Sequence, residues 1–460
     1  MAPTADSHVA VVAFPFGTHA SPLLAIIRRL AAASPETIFS FFNTCQSNNT
    51  IFSTSVVASS PNVKPYNVWD GVHEGYTFSG KPQEHIELFM KAAPQSLHRN
   101  MDMAVAETGK EVTCLVTDAF IWFAAEMAQE MGVPWVPLWA PGPCPLLAHL
   151  YTDLIRHRVS IAGDHPAPGS GNERLSFIPG MSKILVQDLP DGIVFGNLES
   201  FFSTMLHQTS LMLPQATAVF INSFEELDKT VTGELKSKFH KFLSVGPFNL
   251  ASPPPPAQDD SGCLPWLDKQ EPASVAYISF GSVAIPPKEE LVAIAEALEG
   301  SGIPFIWSLR ENVRPNLPKA FLDKTEKRGK VVPWAPQADI LYHRAIGVFV
   351  THCGWNSLLE SMVGGVPMIC RPFFGDHKLN GRMIEDVWEI GIKLEGGVFT
   401  KGGMERCLAM VLSQEKGKRI RAKIKLLKDL ATEAVGPTGS STGNFKLLLD
   451  VITRPRGFQK

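Results

Sequence analysis

The chain has few of the features that mark secreted, membrane-spanning or nucleic-acid-binding proteins. Its 460 residues include seven cysteines, which are odd in number, widely scattered and never spaced as C-x-x-C. This pattern excludes a disulfide framework and a cysteine zinc site. No apolar run approaches the roughly 18 residues that a bilayer span needs, and the first residues lack the basic start of a secretion signal. We therefore expect a cytosolic protein with reduced thiols and no integral membrane association.

Positive charge is not in excess either. Lys and Arg number 42 against 45 Asp and Glu, which gives a formal charge of −3. A dedicated nucleic-acid partner is therefore not expected. No G-x-G-x-x-G follows an apolar run, and this absence disfavours a nicotinamide dehydrogenase.

The length and the 45% hydrophobic content predict two domains, each with its own core. In the first half, the β-branched run HVAVVAFPF (residues 8–16) is typical of a strand buried on both faces. Apolar residues at helical spacing follow it, and then the strand-like IFSFFN. The alternation continues through residues 112–118, 134–140 and 218–224, which indicates a doubly wound α/β domain.

Residues 252–262 read SPPPPAQDDSG, a composition that favours an extended spacer. The strand and helix alternation then restarts. We predict an N-terminal Rossmann-like domain over 1–250, a linker over 251–262 and a second Rossmann-like domain over 263–436. Residues 437–460 are predicted to form a helix that packs back toward the first domain through Phe445, Leu448 and Val451. The two sheets would face a cleft at their strand ends, where such folds bind ligands.

The most informative block runs from Trp334 to His377. Within it the strand-like IGVFVTHCG ends at His352, Cys353 and Gly354, and a helix is predicted to open at about Asn356. Unpaired N–H groups and the positive end of the helix dipole would meet there, which predicts an anion site. His352 and Ser357 add side-chain donors, and Glu360 lies one turn farther on. Trp334 and Gln337 offer a stacking plane and an amide. The alternative is a capped helix start with core tryptophans.

A second candidate site is Gly17-Thr18-His19, after the first strand. A histidine there can act as a general base near neutral pH. It needs a partner that fixes its tautomer, and Asp118 ends another predicted strand of the same sheet. Both residues could instead be structural.

These residues resemble plant family-1 UDP-glycosyltransferases. The block from Trp334 to His377 is similar to their nucleotide-sugar signature, and FPFGTHASPLL, FIPGMSK, VFINSFEEL and YISFGS extend the similarity along the chain. The resemblance is nearest to flavonoid and anthocyanidin 3-O-glycosyltransferases and implies the two-domain GT-B fold. It implies that Trp334 stacks on uracil, that Gln337 and Glu360 hold the ribose and that the diphosphate is bound by His352, Asn356, Ser357 and Ser282. The full implied UDP-binding set is Thr18, Ser282, Trp334, Ala335, Gln337, His352, Gly354, Trp355, Asn356, Ser357 and Glu360.

The resemblance also implies the chemistry. A His-Asp dyad occurs at matching positions in the family, so His19 would deprotonate an acceptor hydroxyl and Asp118 would orient it, with inversion at the sugar. No metal or other cofactor is expected, because the helix start can stabilise the leaving diphosphate. No D-x-D occurs in the sequence, which disfavours the metal-dependent type of glycosyltransferase fold.

The sugar is predicted from Asp376, His377 and Ala140. Many glucosyltransferases of the family have Gln where this chain has His377, and several members with His use UDP-galactose. Many relatives have a threonine in place of Ala140. Both departures favour UDP-galactose, and UDP-glucose is the alternative. An exchange of one buried hydrogen bond can shift such a preference by about 1–3 kcal/mol.

The acceptor pocket is less clearly marked. A flat flavonol or anthocyanidin could be enclosed by aromatic side chains and anchored by polar ones, and the candidates are Phe16, Gln83, Phe120, His149, Asp188, Phe202 and Phe374. Two other classes stay open: a nucleotide-sugar epimerase, which would need no apolar acceptor pocket, and a non-catalytic UDP-sugar sensor, against which His19 and Asp118 argue. We expect a monomer.

Overall fold

The computed structural model describes residues 7–52, 60–81, 83–159, 161–162, 165–166, 169–253 and 258–454. The strands are β1 (His8–Val12), β2 (Ile38–Thr44), β3 (Val63–Val68), β4 (Cys114–Asp118), β5 (Trp135–Trp139), β6 (Ile161–Ala162), β7 (His165–Pro166), β8 (Val219–Ile221), β9 (Phe242–Ser244), β10 (Val275–Ser279), β11 (Phe305–Ser308), β12 (Gly329–Val332), β13 (Ile346–Thr351), β14 (Met368–Cys370) and β15 (Gly391–Lys393).

The α-helices are α1 (Ala20–Ala33), α2 (Cys45–Ile51), α3 (Glu84–Thr108), α4 (Ala124–Met131), α5 (Pro143–Leu150), α6 (Thr152–Arg158), α7 (Phe201–Met212), α8 (Lys229–Lys238), α9 (Phe248–Ala251), α10 (Cys263–Leu267), α11 (Lys288–Ser301), α12 (Phe321–Thr325), α13 (Gln337–Tyr342), α14 (Trp355–Gly364), α15 (His377–Arg382), α16 (Lys401–Ser413), α17 (Glu415–Ala434) and α18 (Ser440–Thr453). Short 3-10 turns cover Ser170–Asn172, Val186–Asp188, Leu213–Gln215, Glu225–Leu227, Arg314–Asn316 and Glu395–Gly397, and Met383–Val387 forms a π-helix.

Two parallel sheets organise the molecule. The first has the order β3-β2-β1-β4-β5-β8-β9 and the second the order β12-β11-β10-β13-β14-β15, while β6 and β7 form a small antiparallel pair. In each large sheet the strand order reverses direction once, between β1 and β4 and between β10 and β13. Ligands of doubly wound folds bind at the carboxyl ends of the strands beside such a reversal. We call the parts built on the two sheets the N-terminal and the C-terminal lobe.

The burial of the strands follows from their apolar sequences, but the strands are shorter than predicted. All five residues of β1, HVAVV, are buried, as expected for a central parallel strand. The strand ends at Val12 rather than at Phe16, since Pro15 has no N–H to continue the ladder. The predicted helix after Asp118 begins only at Ala124, because the Asp118 carboxylate accepts the Phe120 N–H and holds a turn there.

The chain returns to the N-terminal lobe at its end. Helix α18 contacts β1, β4 and β9, and its buried residues Phe445, Leu448 and Ile452 join the core of the first sheet. The predicted apolar stripe of this helix ends at Val451, but the buried residue one helical turn past Leu448 is Ile452. Of the predicted linker, residues 254–257 lie outside the described part of the chain, and the domain limits given above stay predictions. All seven cysteines are free. Among the described residues, none of the helices has both the length and the apolar character to cross a bilayer.

Candidate functional site

The candidate base and its partner meet at the reversal point of the first sheet. His19 precedes α1 in the loop after β1, and Asp118 is the last residue of the neighbouring strand β4. The Nδ1 of His19 lies 2.8 Å from Oδ2 of Asp118, whose residue is fully buried. Because the carboxylate only accepts, Nδ1 carries the proton and Nε2 of the neutral ring is the basic atom. The phenyl rings of Phe14 and Phe120 pack against the imidazole, with centroids 5.2 and 4.6 Å away.

An anion-binding turn occupies the reversal point of the second sheet. Helix α14 opens at Trp355 after Gly354, and no side chain caps its first N–H groups. A Cβ on Gly354 would lie 2.3 Å from Nε2 of His352, and one on Gly281 would lie 2.9 Å from Cε1 of the same ring. Both glycines therefore make room for His352. Burial lowers the pKa of His352 to about 4, so this imidazole is neutral near pH 7.

Beside this turn lies a polar cluster with an exposed indole. Trp334 is 55% exposed, which is unusual for a tryptophan and leaves a stacking face open. The Nε2 of Gln337 donates to Oγ of Ser357 at 2.9 Å and to Oε2 of Glu360 at 2.6 Å. Burial raises the pKa of Glu360 to about 7, against the opposing effect of the Gln337 hydrogen bond. Tyr277, which sequence reasoning missed, donates its hydroxyl to Oε1 of Gln337 at 3.3 Å.

Two of the predicted sugar residues, Asp376 and His377, lie beside the anion-binding turn, and the third is in the other lobe. Asp376 directly precedes α15, and burial raises the pKa of its carboxyl to about 6, against the opposing effect of the hydrogen bond from Asn380. His377 is buried, its ring is 4.9 Å from that of His352, and burial lowers its pKa to about 3. Its Nδ1 accepts the Phe374 N–H at 3.4 Å. Ala140 directly follows β5 in the other lobe.

A direct contact joins the lobes at this cleft. Nδ2 of Asn356, in the first turn of α14, donates to Oγ1 of Thr18 at 3.4 Å. Because Thr18 precedes His19, the base and the anion-binding turn face the same cleft. Ser282 is exposed after β10, and its carbonyl accepts from Arg310. Ala335 is buried next to the exposed Trp334.

Most of the predicted acceptor residues belong to one aromatic cluster. The ring of Phe14 lies 5.2 Å from Phe16 and 5.4 Å from Phe120. Phe120 lies 6.3 Å from Phe202 and 5.7 Å from Trp139. The cluster continues to His149, whose ring is 5.8 Å from Trp139 and whose pKa burial lowers to about 4. Of these rings, Phe14 and Phe120 place apolar surface against His19.

Two other acceptor candidates lie apart from this cluster. Gln83 is exposed directly before α3, with a left-handed φ of 65°. Phe374 belongs to the C-terminal lobe, is 45% exposed and packs against His377 at 4.7 Å.

The carboxylate of Asp188, another predicted acceptor residue, is bonded within the protein. Its Oδ2 accepts from Nε of Arg382 at 2.7 Å and from the Leu185 N–H at 3.0 Å, and its Oδ1 accepts from Nη2 of Arg382 at 3.3 Å. These bonds occupy the carboxylate and join the two lobes. The structure therefore favours an ion pair between lobes over an acceptor anchor.

The Trp355 side chain contacts the other lobe. Its indole is buried against Gly142 of the N-terminal lobe, and Nε1 donates to the Asn222 carbonyl at 2.8 Å. The side chain thus fixes α14 to the other lobe, and only the backbone N–H of Trp355 remains for an anion. Sequence reasoning did not identify Asn222 as its partner.

An open cavity of about 350 Å³ lies beside the loop that carries His19. Of the predicted acceptor residues, Phe16 lines it. Its other walls come from that loop, from the ends of β2 and β3 and from α1, α2 and α3: Pro15, Gly17, Ala20, Ser21, Thr44, Gln46, Ser47, Thr50, Ile51, Asp70, Val72 and His85. In the described ranges no three His, Cys, Asp or Glu side chains gather as metal ligands.

Two doubly wound sheets that face one cleft, with a base on one side and an anion-binding turn on the other, define the GT-B class. Comparison with known proteins supports this assignment. Residues 257–431 match the family model for UDP-glucoronosyl and UDP-glucosyl transferases. The chain is 58% identical to an anthocyanidin 3-O-glucosyltransferase of Vitis vinifera, over 98% of this chain and 99% of the relative. It is 54% identical to an anthocyanidin 3-O-galactosyltransferase of Actinidia chinensis var. chinensis, over 98% of both.

A solved structure extends the similarity to three dimensions. The crystal structure of a UDP-glucose:anthocyanidin 3-O-glucosyltransferase in complex with UDP matches with a TM-score of 0.92 and 42% identity, over 98% of this chain and 99% of that one. The chain belongs to the UDP-glycosyltransferase family. The expected family and GT-B fold are thereby confirmed.

Proposed function

We propose that the chain transfers a hexose from a UDP-hexose to the 3-hydroxyl of a flavonoid and gives the β-3-O-glycoside. One observation carries this proposal: a His19–Asp118 pair faces the open start of α14 across a cleft, and the Thr18–Asn356 contact joins the two sides. The names of the relatives support the class of acceptor, since they include anthocyanidin and flavonol 3-O-glucosyltransferases.

The geometry supports a direct displacement. Nε2 of His19 takes the proton of the acceptor hydroxyl, and Asp118 stabilises the imidazolium that forms. The acceptor oxygen then bonds to the anomeric carbon from the face opposite UDP, and the bond between that carbon and the diphosphate oxygen breaks. One displacement inverts the anomeric configuration. The start of α14 and the side chains of His352, Asn356 and Ser357 stabilise the charge of the departing UDP.

The rest of UDP fits the polar cluster beside this turn. Trp334 supplies the face on which uracil stacks. Glu360 accepts from the ribose hydroxyls, and Gln337 orients it. The proposed UDP contacts further comprise Thr18, Ser282, Ala335, Gly354 and the backbone of Trp355. Phe16, Phe120, Phe202, Phe374, Gln83 and His149 are the proposed acceptor contacts.

We propose UDP-galactose as the preferred donor. The support is His377 in a position where many glucosyltransferases of the family have Gln, together with Ala140. The Nδ1 of His377 accepts from Phe374, so its Nε2–H is the group that can donate to a sugar hydroxyl. UDP-glucose is the alternative, and it is favoured by the names of relatives that are glucosyltransferases. Asp376 would contact the hexose with either donor.

We also propose that the enzyme is a cytosolic monomer that works without a metal or other cofactor. Its partners would be the UDP-hexose and a flavonol or anthocyanidin. An epimerase and a non-catalytic UDP-sugar sensor are the competing proposals.

The test is a mass-resolved assay of quercetin and cyanidin against a panel of UDP-sugars. Transfer of one hexose to the 3-hydroxyl, lost in His19→Ala while UDP binding persists, is the expected result. Interconversion of UDP-hexoses without a phenol would identify an epimerase. UDP binding without transfer to any flavonoid would favour the sensor.

Direct competition between UDP-galactose and UDP-glucose tests the sugar. We expect wild type to prefer UDP-galactose and His377→Gln to shift the ratio of kcat/KM values toward UDP-glucose by about 10-fold or more, since one buried hydrogen bond changes. Cys370→Ser, on buried strand β14, serves as a nearby control. A clear preference of wild type for UDP-glucose would overturn the choice of galactose.

A further inference from the structure

A buried amide connects two parts of the donor site. Asn380, in α15, is 1% exposed. Its Nδ2 donates to the Cys353 carbonyl at 2.9 Å and to Oδ2 of Asp376 at 2.9 Å. The two hydrogens of one amide therefore join the anion-binding turn to the carboxylate that precedes α15. No role was expected for Asn380 from the sequence.

The first of these bonds holds a turn in an unusual conformation. Cys353 has a φ of 70°, in the left-handed region that a residue with a Cβ adopts only when its surroundings fix it. Two bonds fix it here, because its N–H donates to Oγ1 of Thr351 at 3.2 Å and its carbonyl accepts from Asn380. The turn sets the direction of Gly354 and thus of the first N–H groups of α14.

The second bond orients the carboxylate that directly precedes α15. The next residue, His377, has its ring 4.9 Å from that of His352, so Asp376 lies beside the anion-binding turn. The hydrogen bond from Asn380 fixes one of its oxygens and with it the side-chain rotamer. Loss of this bond would leave Asp376 free to rotate.

We propose that Asn380 is a positioning residue that fixes the diphosphate-facing turn and the sugar-facing carboxylate relative to each other. This inference rests on the proposed function, because it assigns the turn to the diphosphate and Asp376 to the hexose. Asn380 is buried, and its amide donates to Cys353 and Asp376. Its effect on binding passes through Cys353 and Asp376.

The ratio of the affinities for UDP and for UDP-hexose distinguishes this positioning role from a merely structural one. The affinity for UDP depends on the turn alone, whereas the affinity for UDP-hexose depends on the turn and on Asp376. In Asn380→Ala we expect UDP to bind roughly 5- to 10-fold more weakly and UDP-hexose to lose about 10-fold more than UDP does. Both dissociation constants are measured by titration calorimetry without acceptor.

Thr351→Val is the matched variant, because it removes the other bond of Cys353 and leaves Asp376 untouched. It should weaken UDP and UDP-hexose by the same factor. Cys353→Gly is the rescue, since glycine adopts this φ without steric cost. In the Asn380→Ala background it should restore UDP affinity to within about 2-fold of wild type, while the additional loss of UDP-hexose affinity remains.

Asn100→Ala controls for the loss of a buried amide, because Asn100 donates to the Ser96 carbonyl in α3, in the other lobe. Equal losses of both ligands in Asn380→Ala, or no loss, would overturn the proposal. Should Asn380→Ala not fold, the double variant with Cys353→Gly decides by its affinity ratio, and an unchanged ratio refutes the role of Asp376. A wild type that binds no UDP would instead refute the proposed function.

Discussion

At the residue scale, the pair of His19 and Asp118 shows how a buried carboxylate prepares a base. Oδ2 of Asp118 bonds to Nδ1 of His19, and Oδ1 accepts the Phe120 N–H at 2.9 Å. Both oxygens are thus engaged, which fixes the ring orientation and directs the basic Nε2 to the cleft. The phenyl rings of Phe14 and Phe120 keep apolar surface around the imidazole.

Asp118→Asn should lower kcat by about 100- to 10,000-fold, because an amide does not stabilise the imidazolium and can favour the wrong tautomer. The KM for UDP-hexose should change by less than about threefold, since most of the proposed donor contacts lie in the other lobe and Asp118 is not one of them. Steady-state kinetics with a flavonol measures both constants. A kcat within threefold of wild type, in a variant with an unchanged circular dichroism spectrum, would remove Asp118 from the mechanism.

Glu360 makes UDP binding depend on pH. Burial raises its pKa from the ordinary 4.5 to about 7, so between these values the folded protein holds a proton that the unfolded chain releases. Its contribution to the free energy of unfolding therefore falls as the pH rises through this range. A carboxylate that accepts from ribose hydroxyls must be ionised, so UDP binding should release about half a proton at pH 7.

Calorimetry in two buffers of different ionisation enthalpy measures this release. Glu360→Gln should abolish the proton release that comes from Glu360, and it should weaken UDP binding roughly 10-fold. Asp376→Asn is the matched control, because its carboxyl also titrates below pH 7 but faces the hexose, which UDP lacks. The same proton release in Glu360→Gln as in wild type would contradict this assignment.

At the scale of the elements, α18 shows how a terminal helix attaches to the N-terminal lobe. Leu448 is fully buried in the core of the first sheet, whereas its neighbour Leu447 is 51% exposed. Leu448→Ala should lower the free energy of unfolding by about 2–5 kcal/mol, as a buried leucine truncation does. Leu447→Ala should change it by less than about 0.5 kcal/mol. Urea denaturation of both variants tests this, and equal effects would show that α18 does not pack as described.

The elements around the site were largely predictable from the sequence. Continuous apolar runs mark β1, β4, β10 and β13, and the strand-to-helix turns after them hold His19 and Gly354. The end of a parallel strand is where such folds expose chemistry, so local pattern and function agree there. Helix α3 was missed, because Pro94 lies inside it and a proline ordinarily interrupts a helical pattern.

Side-chain partners were harder to predict. Asp118 could be named as a partner of His19 because it ends a predicted strand of the same sheet and because the similar family has a His-Asp dyad at matching positions. No sequence pattern indicates that Asp188 pairs with Arg382 or that the Trp355 indole donates to the Asn222 carbonyl. These contacts depend on how the two lobes pack against each other. Asn380 had a local signal, because it lies four residues after Asp376 and such pairs meet on a helix. Its bond to Cys353 had none.

At the scale of the whole molecule, contacts away from the reacting groups set how the lobes face each other. The Trp355 indole packs on Gly142 and bonds to Asn222, and Lys183 donates to the Asp386 carbonyl at 2.6 Å. Helix α18 connects the end of the chain to the first sheet. Together they hold His19 opposite α14 without occupying the cleft.

Arg382 adds a buried ion pair, because it bonds to Asp188 across the lobes and to Asp386 on its own side.

Removal of the Asp188 carboxylate distinguishes this role from the acceptor contact that the sequence suggested. Asp188→Ala should lower the free energy of unfolding by about 3 kcal/mol, the lower end for a broken buried pair, because Arg382 keeps Asp386. The acceptor KM at saturating donor should stay within twofold. Asp191→Ala, an exposed carboxylate nearby, should leave both quantities unchanged. If Asp188→Ala instead raised the acceptor KM 10-fold with unchanged stability, Asp188 would be an acceptor anchor, and the remaining contacts would hold the lobes without this ion pair.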